Sequence, residues 1–97
     1  MDQATFLREA KFIARRNIND AVTAVFVRFD ENRGHLLVVY CFDHAINDDD
    51  REWSELTCGE LIAAFPEIKT ADIQCCAPDD CAREGEKGTI VFSRKGI

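Results

Sequence analysis

The chain has 97 residues, 46% of them hydrophobic, with 18 acidic side chains against 12 basic ones and a formal net charge of -6. That size fits a single domain, residues 1–97, with a real but modest core. No apolar run approaches the ~20 residues that span a bilayer, and MDQATFLREAKF lacks the basic-then-apolar start of a secretory signal, so a soluble cytoplasmic protein without membrane contact is expected. The acidic balance also counts against a sequence-independent nucleic-acid binder, which would need Lys and Arg to neutralise phosphates.

Residues 2–18 read as an amphipathic helix. Phe6, Leu7, Ala10, Ile13, Ala14 and Ile18 fall on one stripe at helical spacing, Arg8, Lys11, Arg15 and Arg16 take the other side, and Phe12 lies off the stripe. From Ala21 to Phe29 and from Leu36 to Phe42 the chain is rich in Val, Phe, Leu and Tyr, with turn chemistry in Asp30-Glu31-Asn32-Arg33-Gly34 between them, which predicts a β-hairpin. With Asp30 opposite His35, one face collects Thr23, Val25, Val27, Phe29, Leu36, Val38, Tyr40 and Phe42. The other collects Val22, Ala24, Phe26, Arg28, Leu37, Val39 and Cys41. A hairpin with one wet face should alternate apolar and polar residues, so these strands are either central or have a face awaiting a partner.

Asn47 is a good N-cap with Asp50 three residues on, and a second helix is predicted over 48–65. Trp53, Leu56, Thr57, Glu60, Leu61, Ala64 and Phe65 recur at helical steps until Pro66 ends the run, while Gly59 weakens it at a cost of ~1 kcal/mol relative to alanine. Residues 71–77 and 88–94 alternate as two further strands, with Ile73, Cys75, Ile90 and Phe92 inward. The order αββαββ predicts an α+β domain: a four-stranded, mostly antiparallel sheet with two helices packed against it.

Between Asp43 and Glu60 lie Asp43, Asp48, Asp49, Asp50, Glu52, Glu55 and Glu60 against the single Arg51. This block carries the whole excess, since the remaining residues balance at 11 acids and 11 bases. A helix N-terminus favours acids, and Arg51 with Glu55 could form an i,i+4 pair, which explains part of the block without a partner. A concentrated negative surface also suits something basic.

Catalytic and metal readings are weaker. Cys41 near His44, or His35, could pair as nucleophile and base, but Cys41 sits in an apolar strand run. Cys75 and Cys76 are adjacent on a strand and point to opposite faces, and with Cys81 they complete no zinc spacing. The five cysteines, odd in number and without a signal peptide, are expected to be reduced thiols. The five glycines form no phosphate cradle, so neither metal nor cofactor is expected.

The small acidic domain, the apolar hairpin AVTAVFVRFDENRGHLLVVYCF and the acidic helix DDDREWSELTCGELIAAFPEI resemble the immunity proteins of bacterial polymorphic toxins, particularly those of contact-dependent growth inhibition systems. The resemblance implies a non-enzymatic inhibitor that binds its cognate toxin C-terminal domain in a 1:1 complex, many such toxins being basic nucleases that cleave transfer RNA. It carries over no fixed binding set. The charge count alone nominates Asp43, Asp48, Asp49, Asp50, Glu52 and Glu55, with Trp53 as an aromatic anchor if it is not core. The alternatives are a self-associating domain that forms a homodimer through the second hairpin face, and a thiol enzyme with a cysteine of depressed pKa.

Overall fold

The computed structural model describes residues 2–78, 80 and 88–94. Helix α1 (Gln3–Arg16) starts at Asp2, whose carboxylate accepts from the Ala4 N–H at 3.2 Å and from the Thr5 hydroxyl at 3.2 Å. Strands β1 (Val22–Asp30) and β2 (His35–Phe42) form the expected antiparallel hairpin, with Asp30 opposite His35. Helix α2 (Asp48–Ala64), strand β3 (Thr70–Cys76) and strand β4 (Thr89–Ser93) follow, giving the order αββαββ.

The sheet order is β3-β2-β1-β4, so the hairpin strands are central, as their two apolar faces require. Both β1 pairings are antiparallel. β3 runs parallel to β2 from His35/Thr70 to Cys41/Cys76, and α2 is the crossover between them. Both helices pack on one face of the sheet. Phe6, Ala10, Ile13 and Ala14 of α1 and Cys58 and Leu61 of α2 join Val25, Val27, Phe29, Leu36, Val38, Tyr40 and Phe42 in the main core. Val22 belongs to this core too. A register shift between Val22 and Ala24 swaps it away from the face that simple alternation assigned it.

The other sheet face holds a smaller buried cluster of Ala24, Val39, Cys41 and Cys76, with Phe26 and Leu37 partly buried against it. Cys75 packs against the main core, so the two adjacent cysteines do face opposite ways. Cys41 is disulfide-bonded, whereas Cys58, Cys75 and Cys76 carry no disulfide. The expectation of reduced thiols therefore fails at Cys41, and Cys81 lies outside the described residues.

The hairpin turn also positions β3. Asp30 caps the turn by accepting from the N–H groups of Asn32 and Arg33 at 3.0 and 3.4 Å. Gly34 has φ of 63°, and a Cβ there would meet the Glu67 carbonyl oxygen at 2.9 Å. Its own carbonyl accepts from the Lys69 and Thr70 N–H groups at 2.7 and 3.2 Å, fixing the chain just where β3 begins.

Candidate partner-binding face

The acidic block does not act as a unit. Asp50 is only 2% exposed. Its carboxylate accepts from the Asn47 N–H at 3.0 Å while the Asn47 side chain accepts from the Asp50 N–H at 2.9 Å, a reciprocal cap on α2. The same carboxylate meets His44 Nε2 at 2.7 Å, and His44 Nδ1 lies 3.2 Å from Asp43. The His44 ring stacks on Phe42 with centroids 6.0 Å apart.

This arrangement sets the protonation of both groups. The hydrogen bond to Asp50, reinforced by the negative charges of Asp50 and Asp43, raises the pKa of His44 above its ordinary 6.5. Burial pushes the Asp50 carboxyl up, but the His44 hydrogen bond, the Asn47 N–H and the His44 charge outweigh it and hold the pKa below 3.8. Asp50, nominated for partner contact on charge count, directs its carboxylate into the cap.

Glu60 is also occupied. Its carboxylate accepts from Asn17 Nδ2 at 3.0 Å and Arg16 Nη2 at 3.2 Å, joining the C-terminal end of α1 to α2. Beneath this junction the fully buried Tyr40 donates its hydroxyl proton to the Asn17 carbonyl at 2.8 Å and bonds the Thr57 hydroxyl. Burial pushes the Tyr40 pKa up to about 12, so the phenol stays protonated as a donor.

Four acids remain: Asp48, Asp49, Glu52 and Glu55, all exposed on the first turns of α2. Among the described residues none of these four makes an ion pair or a side-chain hydrogen bond, and the Arg51–Glu55 pair is not formed. Asp43, 59% exposed, is held beside them through His44. The structure thus gathers five of the six nominated residues into one exposed patch, with Asp50 supporting it from below.

Periodicity missed what lies next to this patch. The buried stripe of α2 is Asp50, Ser54, Thr57, Cys58 and Leu61, which leaves Leu56 and Ile62 outside at 45% and 43% exposure. Trp53 is partly buried against the main core. A wheel centred on Leu61, and not on Trp53 and Leu56 together, would have shown the difference. Beside Glu55, a shallow groove of about 230 Å³ between α2 and β3 is lined by Arg51, Ser54, Glu55, Ile73 and Cys75.

Among the described residues the catalytic and metal candidates are not brought together. Cys41 is disulfide-bonded on the far face of the sheet, while both ring nitrogens of His44 face carboxylates. His35 bonds Thr70 at 2.7 Å and lies 3.2 Å from Asp72. Among the described residues no group of three or more His, Cys, Asp or Glu side chains could hold a metal ion, and no helix is long and apolar enough to cross a membrane.

Residues 15–96 match the model of a family described as MafI2 immunity protein, a span that includes the hairpin and all of α2. No curated protein matches the chain.

Proposed function

The chain belongs to the MafI2 immunity protein family, and from that membership we propose that it is a cytoplasmic inhibitor that binds and neutralises one cognate toxin C-terminal domain as a 1:1 complex. The toxin is read as a basic nuclease, with transfer RNA as its substrate class, from a contact-dependent growth inhibition system or a related polymorphic toxin system. The observation that carries this reading is the patch of Asp48, Asp49, Glu52 and Glu55, four exposed carboxylates that meet no cation among the described residues, while Asp50 and Glu60 are used internally. Acids placed only to complement the dipole would be confined to the first turn of α2, yet Glu52 and Glu55 extend past it. Such a patch accelerates encounter with a cationic groove and discriminates against neutral partners.

The mechanism needs no chemistry from this chain. A nuclease groove that binds a phosphate backbone must be cationic, and a rigid anionic helix end laid against it competes with the nucleic acid for the same charges. The test is co-purification of this chain with the toxin domain encoded beside it, followed by the toxin's RNA-cleavage assay with and without an equimolar amount of this chain. Stoichiometric loss of cleavage supports the reading; full cleavage in the presence of saturating chain sinks it.

A further inference from the structure

We propose that the exposed strip of α2 formed by Leu56, Gly59 and Ile62 is the apolar anchor of the toxin complex. Its occupant is a cationic segment of the toxin domain that seats an apolar side chain over Gly59 and aims Lys or Arg at Glu52 and Glu55. The proposal rests on the inhibitor reading above and adds to it the residues that hold the complex together once charge has brought it in.

Three observations carry it. Leu56 and Ile62 are two of the four exposed large hydrophobics among the described residues, and they cannot turn inward, because Ser54, Thr57, Cys58 and Leu61 already fill the opposite side of the helix. Positions 56, 59 and 62 follow one another at i,i+3 spacing, and Glu52 and Glu55 stand one turn before Leu56 and Gly59 at i,i+4, so charge and apolar surface form one strip.

The second observation is Gly59. It lies in mid-helix, its φ is not positive, and a Cβ built on it would meet none of the described residues within 4 Å. Glycine weakens a helix interior, and no contact among the described residues requires one here. A bare backbone flanked by two aliphatic side chains is a notch that admits close approach from outside.

The third is charge. Glu52 and Glu55 at the rim lack ion pairs among the described residues, so a cationic occupant is favoured over a neutral or acidic one. A second copy of this chain could offer the cationic face of α1, which bears Arg8, Lys11, Arg15 and the 61% exposed Phe12. That contact would be head-to-tail and would grow into an open chain unless its rotation happened to close, which argues for the toxin as occupant.

The test measures association and dissociation rates of the cognate toxin C-terminal domain with the full chain. Gly59→Gln fills the notch with a better helix former, so its melting temperature should equal or exceed that of the wild type while dissociation speeds up by about tenfold or more and association stays within about twofold. The double variant Leu56→Ser/Ile62→Ser should show the same kinetic signature. Wild-type dissociation in both variants overturns the anchor; if the Asp48→Asn/Asp49→Asn/Glu52→Gln/Glu55→Gln variant still slows association, the inhibitor reading survives that loss. No binding by the wild type overturns both. Sedimentation of the toxin-free chain that shows self-association, lost in both Gly59→Gln and Phe12→Ser, overturns the toxin as occupant in favour of a second copy.

Discussion

Helices α1 and α2 pack on the same face of one sheet and share one core, yet they present opposite charge to solvent and bury stripes of different polarity. The buried stripe of α1 is apolar throughout, Phe6, Ala10, Ile13 and Ala14, and its outer face carries Arg8, Lys11 and Arg15 around the exposed Phe12. The buried stripe of α2 includes Asp50, Ser54 and Thr57, while Leu56 and Ile62 stand outside among acids. Hydrophobic burial orients the body of α1, whose polar ties lie at its two ends, Gln3 to Glu31 and Arg16 with Asn17 to Glu60. Polar ties orient α2: Asp50 to Asn47 and His44, Thr57 to Tyr40, and Glu60 to Asn17 and Arg16. A helix held by specific polar contacts can present apolar residues outward, because turning them in would leave buried donors and acceptors unpaired.

The largest expected effect breaks the comparison at its charges. Replacing Asp48, Asp49, Glu52 and Glu55 by their amides should slow association with the toxin domain by about 10- to 100-fold at low ionic strength, with the loss shrinking as salt is added. The matching change on the other helix, Arg8→Gln/Lys11→Gln/Arg15→Gln, should leave association unchanged or slightly faster. Stopped-flow mixing at two salt concentrations measures both, and equal slowing by the two sets would mean that the helices do not differ in function.

Next in size is the tie that orients α2. Tyr40→Phe strands the Asn17 carbonyl and the Thr57 hydroxyl in the core, and should cost about 1–3 kcal/mol in urea unfolding. Asn47→Ala removes the reciprocal cap and should cost about 0.5–2 kcal/mol, whereas α1 should tolerate Phe12→Ser to within about 0.5 kcal/mol.

The cap also makes α2 the pH-sensitive helix. The pKa of His44 is raised, so its contribution is complete below 6.5 and fades as pH rises through the raised value. The pKa of Asp50 is lowered, so its contribution is complete above 3.8 and fades as pH falls through the lowered value. Melting temperatures of the wild type and Asp50→Asn, compared across buffers, should differ most between those two ordinary values and by less on either side, the Asn47 cap leaving a residual difference at high pH. A constant difference would mean that His44 and Asp50 do not titrate as a pair.

Most of the fold was legible because it rests on local signals. The six elements lie within about two residues of their expected bounds, and the hairpin register follows from turn chemistry and two-residue alternation. The departures at Val22, Glu60 and Leu56 depend on partners distant in sequence, while Ile73, expected inward, is 37% exposed. Val22 changes face because of a bulge against β2, and Glu60 is drawn inward by a helix 44 residues away along the chain. Leu56 is displaced outward because Thr57 answers a tyrosine on β2. For the candidate site, composition located the acids, and the cap pattern Asn47/Asp50 was visible. It did not follow from composition that Asp50 would be buried under His44, nor that two aliphatic residues would border the acids.

The turn at Gly34 bears on how this chain can vary. Hairpin tips are ordinarily where proteins absorb insertions, because little else depends on them. Here the tip is also the landing point of a later strand: the Gly34 carbonyl holds Lys69 and Thr70, and His35 beside it bonds Thr70. Lengthening this loop would unseat the start of β3. The 43–47 connection, with Asp43, His44 and Ala45 exposed, has more room on its outer side, but its cap binds it to α2. A side-chain fluorescent label is therefore better carried on the outer face of α1, at Phe12, than at either of these loops.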